Sequence, residues 1–141
     1  MSEQKTTQKT TQIIHIQPDE IEKSLGKHEY EIVLFTTTWC GPCKMLKQKG
    51  FPAMFKKYGA KDLIVYAVDG DECGKKFGSS NPKNPMRQFQ IRGYPTCLVY
   101  HNGKPIDKNI VKDADRDSAI VGYVDDKNAD WFMKAVDKIF A

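Results

Sequence analysis

Two short runs of apolar residues constrain the fold of this chain more than any other feature. Residues 32–36 and 63–68 are almost entirely apolar at consecutive positions, which predicts strands that are buried on both faces. Between them, Met, Leu, Phe and Tyr recur at helical spacing up to Gly59. Gly50 and Pro52 interrupt that helix, and we expect a kink there because proline removes a backbone hydrogen bond. Doubly buried strands joined by a helix indicate an α/β domain.

The other segments extend this pattern in both directions. A strand at 13–17 and a helix at 18–26 precede the first apolar run, so the order is β-α-β-α-β up to residue 69. Beyond that point we predict a glycine-rich loop at 70–84, a short helix at 85–89 and a strand at 96–100. A hairpin turn at 101–104 and an extended loop at 105–117 follow. The chain then ends with a returning strand at 118–124 and an amphipathic helix at 130–140. We therefore expect a mixed central sheet with helices on both faces.

Length and composition exclude several classes of protein. The chain has 141 residues, 40% of them hydrophobic and 28% charged, which suits one globular domain preceded by a disordered polar tail at 1–12. No apolar run approaches the ~18 residues of a membrane span. The net charge of +4 comes mainly from lysine, without the clustered arginine of a nucleic-acid surface. We expect no membrane or nucleic-acid partner and, since no secretory signal is visible, a cytoplasmic location.

The chemistry of the chain centres on Cys40 and Cys43, which form a Cys-x-x-Cys pair where the first buried strand passes into a helix. Unpaired backbone N–H groups and the helix dipole favour a thiolate at Cys40. Cys43, three residues later, faces the same side and can resolve a mixed disulfide formed at Cys40. Pro42 stiffens the turn between them. This arrangement predicts a redox pair.

Two other uses of the cysteines, a zinc site and a disulfide framework, fit the sequence less well. A zinc site needs two further ligands, and the remaining cysteines and histidines show no paired zinc spacing, so we expect neither metal nor cofactor. A secreted disulfide framework is disfavoured because no signal segment is visible and the chain is long enough to build a core. Cys73, in the predicted loop, is interpreted as an exposed thiol with a third redox role as the minor alternative. Cys97 is interpreted as a buried core residue, and His28 and His101 as surface residues without an identified partner.

The motif at 39–44, Trp-Cys-Gly-Pro-Cys-Lys, and the segment Ile-Arg-Gly-Tyr-Pro-Thr at 91–96 resemble the thioredoxin family in sequence, order and separation. The resemblance covers residues 13–141, with insertions near 70–84 and 105–117. It implies a thioredoxin fold, Cys40 as nucleophile, Cys43 as resolving thiol and a cis bond between Tyr94 and Pro95. It also implies an apolar substrate-binding surface around Cys40, made by Trp39, Gly41, Pro42, Tyr94, Pro95, Val121, Gly122 and Tyr123.

By the same resemblance, the chain is expected to be a monomeric reductase of protein disulfides, acting in electron transport and cell redox homeostasis. Its partners would be disulfide-containing proteins and a thioredoxin-reductase-like or other dithiol electron donor. A periplasmic or organellar oxidoreductase and a binding module that holds partners without turnover remain as alternatives.

One departure from the family pattern concerns the site beneath the cysteines. Many thioredoxins bury an acidic residue and a lysine there, and this chain has Leu34 and Val65 at the corresponding positions. No buried charge is left unpaired, but the usual proton acceptor for the resolving thiol is missing. The helix proline is also displaced, to Pro52.

Overall fold

The computed structural model describes residues 13–112 and 114–141, so the predicted tail at 1–12 lies outside the described residues. Their strands form a mixed sheet in the order β1-β3-β2-β4-β5, with β6 also pairing with β4. The strands are β1 (Ile13–His15), β2 (Tyr30–Thr36), β3 (Leu63–Asp69), β4 (Thr96–His101), β5 (Lys104–Pro105) and β6 (Ala119–Val121). The predicted order of the first elements is confirmed.

Helices connect the strands and cover both faces of the sheet. They are α1 (Ile21–Ser24), α2 (Gly41–Met45), α3 (Phe51–Tyr58), α4 (Gly70–Phe77), α5 (Pro85–Gln88) and α6 (Asp130–Ile139). Helical turns of other types occupy Pro18–Glu20, Leu46–Gly50 and Lys127–Ala129. None of the helices in the described part of the chain is long and apolar enough to span a membrane.

Strand β2 lies at the centre of the sheet. It runs parallel to β3 and antiparallel to β4, so Leu34 faces Ala67 on one side and Cys97 on the other. One face of the sheet packs against α3 and α6 through large buried side chains such as Phe51 and Phe132. The other face forms a second core with α1 and α4. Burial on both faces explains why the strand sequence is continuously apolar.

The segment at 70–84 is not simply the loop predicted from its glycines, because its first half forms helix α4. The carboxylate of Asp69 accepts a hydrogen bond from the Asp71 N–H at 2.8 Å and caps this helix. Acidic residues follow in the first turn and lysines in the last, as the helix dipole favours. Gly78, with a φ of 78°, ends the helix. The favourable capping and charge pattern therefore stabilises a helix here despite the glycines in the segment.

The predicted interruption of the long helix takes the form of a π-helical turn, Leu46–Gly50, between α2 and α3. Pro52 cannot donate a backbone hydrogen bond, which suits a change of helical register at this point. Gly50 is tightly enclosed, since a Cβ atom there would lie 2.7 Å from Leu46 and 3.1 Å from Tyr123 and Phe132. Glycine at this position therefore lets the turn approach the core closely.

The second half of the chain follows the predicted order with shorter strands. The hairpin turn is confirmed, with positive φ at Asn102 and Gly103. Strand β6 is shorter than the predicted 118–124, because Ser118 and Gly122 have φ values of 63° and 84° that end the extended backbone. The region predicted as an extended loop also contributes the buried side chains Ile106 and Ile110.

Candidate active site

Cys40 and Cys43 form a disulfide at the point where the β2 segment passes into α2. Cys40 is the N-cap of that helix, and its Sγ accepts a hydrogen bond from the Cys43 N–H at 3.2 Å. Cys40 is 6% exposed and Cys43 1% exposed. Both residues are buried, and Cys40 is the more exposed of the two.

The Tyr94–Pro95 peptide bond is cis, as predicted. The Pro95 carbonyl accepts a hydrogen bond from the Gly122 N–H at 2.7 Å, which joins this segment to the end of β6. Gly122 has a positive φ of 84°, a backbone conformation that glycine adopts without strain. The neighbouring Val121 side chain is 51% exposed. Two distant segments are thereby fastened together at the same edge of the sheet.

Trp39 is 66% exposed, yet its indole is held in place. Its Nε1–H donates to the Asp71 carboxylate at 2.9 Å, and its ring meets Tyr94 edge to face with centroids 5.8 Å apart. Sequence reasoning missed Asp71. One signal could have found it, because Asp71 follows β3 closely and the carboxyl ends of parallel strands share one edge of the sheet.

The structure distributes the residues of the predicted substrate surface over three levels of burial. The exposed members are Trp39, Gly41, Pro42 and Val121; the half-buried members are Tyr94 and Gly122; the buried members are Pro95 and Tyr123. Tyr123 is 9% exposed and belongs to the core, with its ring tilted against Phe132 at 6.0 Å between centroids. Its side chain therefore adds little to the exposed surface, contrary to the sequence-based expectation.

The two free cysteines are both buried. The expectation of an exposed Cys73 is wrong, because α4 turns this side chain toward the sheet. Burial, with a contribution from the Asp69 carboxylate, raises the pKa of Cys73 to about 11. Burial raises the pKa of Cys97 to about 12. Both thiols are therefore protonated and poorly nucleophilic near neutral pH.

The two positions of the central strands at which the family pattern has a charged pair carry apolar residues in this chain. Leu34 and Val65 are fully buried in the apolar core. Among residues 13–112 and 114–141, Glu31 is the only buried carboxylate. It lies near the start of β2, roughly 16 Å along the strand from Thr36 at about 3.3 Å per residue, too far to take a proton from Cys43.

Glu31 has a full set of hydrogen-bond donors at its own end of the sheet. Its carboxylate accepts from the N–H groups of Gly26 and Lys27 at 2.8 and 3.3 Å and from the Tyr66 hydroxyl at 2.9 Å. Burial and the neighbouring Glu31 carboxylate raise the pKa of Tyr66 far above its ordinary value. The sequence does not reveal the buried Glu31 carboxylate, because a lone acid before an apolar run resembles a solvent-exposed strand end.

Two of the three histidines, His28 and His101, lie near the same end and have partners that the sequence did not reveal. His28 Nδ1 is 2.7 Å from a carboxylate oxygen of Asp62, and His101 Nε2 is 3.1 Å from one of Glu29. In the described part of the chain, no group of three or more His, Cys, Asp or Glu side chains is arranged to hold a metal ion.

Comparisons with known proteins agree with this geometry. The thioredoxin family model matches residues 12–126. A thioredoxin from Coprinus comatus is 31% identical over 90 residues, which cover 64% of this chain and 76% of that protein. The oxidised thioredoxin of Plasmodium falciparum superposes with a TM-score of 0.61 at 22% identity, covering 92% of this chain and 99% of that one. Oxidised mitochondrial thioredoxin 3 from Saccharomyces cerevisiae gives 0.59 at 20% identity, covering 92% and 98%.

Proposed function

This chain belongs to the thioredoxin family, and from that membership we propose that Cys40 is the attacking thiol and Cys43 the resolving thiol of a protein-disulfide reductase. The chain is a thiol–disulfide oxidoreductase that reduces protein disulfides. The observation that carries the assignment of roles is the Cys40–Cys43 disulfide with Cys40 at the helix N-cap, where Cys40 is the more exposed residue of the pair.

The exchange proceeds in two balanced steps from the reduced protein. The Cys40 thiolate attacks one sulfur of the substrate disulfide, a mixed disulfide forms, and the other substrate sulfur leaves as a thiolate. The Cys43 thiolate then attacks Cys40 Sγ, which forms the Cys40–Cys43 disulfide and releases the second substrate sulfur. The substrate gains two electrons and, from solvent, two protons. The helix N-terminus stabilises the Cys40 thiolate before attack and after release.

The substrate is an extended protein segment that lies across the surface around the disulfide. Trp39 and Val121 provide exposed apolar area on either side of the motif. Backbone groups of Tyr94, before the cis proline, are available for pairing with an extended chain, as in other recognition by strand addition. Catalysis therefore combines recognition of the substrate backbone with attack at one sulfur.

Completion of the cycle requires an external dithiol donor, because each turnover leaves the protein oxidised. A thioredoxin-reductase-like protein or another dithiol fills this role, and the chain acts as a monomer in the cytoplasm, in electron transport and redox homeostasis. The family membership supports the requirement for such a donor.

Substitution of each cysteine separates this mechanism from a binding role without turnover. Cys40→Ser should abolish dithiothreitol-driven reduction of insulin, with at least a thousandfold loss of rate, because no nucleophile remains at the accessible position. Cys43→Ser, mixed with insulin without dithiothreitol, should accumulate a mixed disulfide at Cys40, visible by mass spectrometry as the mass of one added insulin molecule. Full turnover by Cys40→Ser would refute the assignment, and partner binding that survives loss of both thiols would favour the binding module.

A further inference from the structure

Gly70, the first residue of α4, lies against the side chain of Tyr94. A Cβ atom at position 70 would lie 2.0 Å from the Tyr94 hydroxyl oxygen and 2.4 and 2.5 Å from ring carbons Cζ and Cε1. Gly70 is buried, and these distances are well inside van der Waals contact. Every other residue type would displace the tyrosine ring or the helix. The Tyr94 ring therefore occupies a notch that only glycine leaves open.

Two further contacts determine where the Tyr94 ring lies. Its hydroxyl reaches Met86 Sδ of helix α5 at 3.6 Å. Its ring meets the Trp39 indole edge to face, with centroids 5.8 Å apart, an arrangement that aromatic rings favour. Burial beside Cys73, Asp71 and Asp69 raises the pKa of Tyr94, so its hydroxyl keeps its proton at neutral pH.

The same turn of α4 also holds the indole. Asp71, next to Gly70, accepts the Trp39 Nε1–H bond at 2.9 Å. Asp71 is itself oriented by its backbone N–H, which donates to Asp69. One helical turn thus contacts both aromatic side chains beside the disulfide, through an open notch for Tyr94 and a hydrogen bond for Trp39.

We propose that Gly70 is a positioning residue for substrate binding, because it admits the Tyr94 ring to the place where it packs against Trp39 beside Cys40. The inference rests on the proposed function, since it concerns the surface that receives a protein disulfide. A displaced Tyr94 weakens binding of an extended protein segment and leaves the sulfur chemistry at Cys40 unchanged. A small disulfide that touches only Cys40 does not depend on this arrangement.

The test compares Gly70→Ala with Gly74→Ala in the full chain. Gly74 lies one turn further along α4, and a Cβ atom there meets nothing within 4 Å, so it controls for glycine replacement in this helix. With insulin as substrate and dithiothreitol as donor, Gly70→Ala should raise KM about tenfold with kcat unchanged. Gly74→Ala should leave KM unchanged. The rate with hydroxyethyl disulfide should stay within about twofold for both variants.

A double-mutant cycle with Tyr94→Leu shows whether Gly70 acts through Tyr94. Leucine does not reach the positions of Cζ and the hydroxyl, so Gly70→Ala should change KM by less than about twofold in that background. Should Gly70→Ala alone fail to fold, refolding in the Tyr94→Leu background and a tenfold higher KM of Tyr94→Leu alone support the proposal.

Three results would overturn the inference. They are an unchanged insulin KM in folded Gly70→Ala, the same KM increase with and without Tyr94→Leu, and an equal loss of rate with insulin and hydroxyethyl disulfide. If Gly70→Ala alone does not fold, two other results would also overturn the inference. One is a normal KM for insulin in Tyr94→Leu, and the other is a Gly70→Ala, Tyr94→Leu double variant that still does not fold. Failure of the proposed function looks different, because the unmodified protein would then reduce neither disulfide.

Discussion

The two ends of the central strand β2 bury different chemistry. Near its start, the Glu31 carboxylate is fully buried and accepts three hydrogen bonds. Toward its end, Leu34 lies among apolar neighbours, and Val65 on β3 is equally buried. The comparison shows that this fold buries a charged group where backbone and hydroxyl donors surround it. Where only apolar side chains and thiols are nearby, it buries no charged group.

We call the end of the sheet around Glu31 the fastened end and the end next to Cys40 and Cys43 the reactive end. The two ends also differ in what surrounds them. Around Glu31, the loops are linked by the His28–Asp62 and His101–Glu29 contacts. At the other end, the exposed indole of Trp39 and the Cys40–Cys43 disulfide lie beside segments that a partner can approach. The buried carboxylate and the reactive disulfide thus lie toward opposite ends of β2.

The largest expected effect comes from placing a carboxylate at the reactive end. Leu34→Asp should lower the free energy of unfolding by about 4 kcal/mol near neutral pH, because no donor surrounds the new charge. Urea denaturation measures the loss. Leu34→Asn is the control for burying a polar group without charge and should lose less. Equal losses in the two variants would contradict the view that the missing donors make this end unable to hold a charge.

Removal of the carboxylate at the fastened end should have a somewhat smaller effect. Glu31→Ala leaves the Gly26 and Lys27 N–H groups without their side-chain acceptor, while the Tyr66 hydroxyl keeps the Ser24 carbonyl at 2.9 Å, and the change should cost about 3 kcal/mol of stability. Glu31→Gln keeps an acceptor oxygen and should cost about half as much. Insulin reduction should stay within twofold in both. A large drop in kcat would mean that the two ends are not independent.

Raising the pH should destabilise the protein through its two buried free thiols. The pKa of Cys73 is about 11 and that of Cys97 about 12 in the native state, against 9.0 for an unperturbed thiol. The unfolded chain therefore releases these protons first, and stability that is fully present below pH 9 falls as the pH rises toward 11. Cys73 alone should account for about 2 kcal/mol of this loss at pH 11.

Denaturation curves of Cys73→Ala between pH 8 and 11 check this assignment. The variant should show a shallower alkaline decline than the unmodified protein, whatever its stability at pH 8. Iodoacetamide should label Cys40 in the reduced native protein at pH 7.5 and leave Cys73 and Cys97 unlabelled. Rapid labelling of Cys73 would contradict the expectation that burial keeps this thiol unreactive.

The smallest expected effect concerns the second chemical step. Without a buried carboxylate to take its proton, Cys43 should resolve the mixed disulfide more slowly than Cys40 forms it. The resolution rate should rise steadily with pH, because only the thiolate form of Cys43 attacks the mixed disulfide. Single-turnover kinetics from pH 6 to 9 measure it. Fast, pH-independent resolution would mean that another group serves as base.

Much of the fold was predictable because it depends on local patterns. The doubly apolar runs identified β2 and β3, and the Asn-Gly pair identified the hairpin turn. Helix α4 was missed because its glycines suggested a loop, although Asp69 at the N-cap and lysines in the last turn were visible signals. Strand ends were misplaced where positive φ values at Ser118 and Gly122 interrupt the extended backbone.

The sequence alone determined the reactive pair, its place between a strand and a helix, and the absence of charge at Leu34 and Val65. These features depend on neighbours along the chain or on residue type. The tertiary structure decided what surrounds the pair: the Asp71 carboxylate on Trp39, the notch at Gly70 for Tyr94, and the burial of Tyr123 and Cys73. Those contacts join residues far apart in the chain, and their geometry depends on how helices pack against the sheet, which local sequence patterns do not encode.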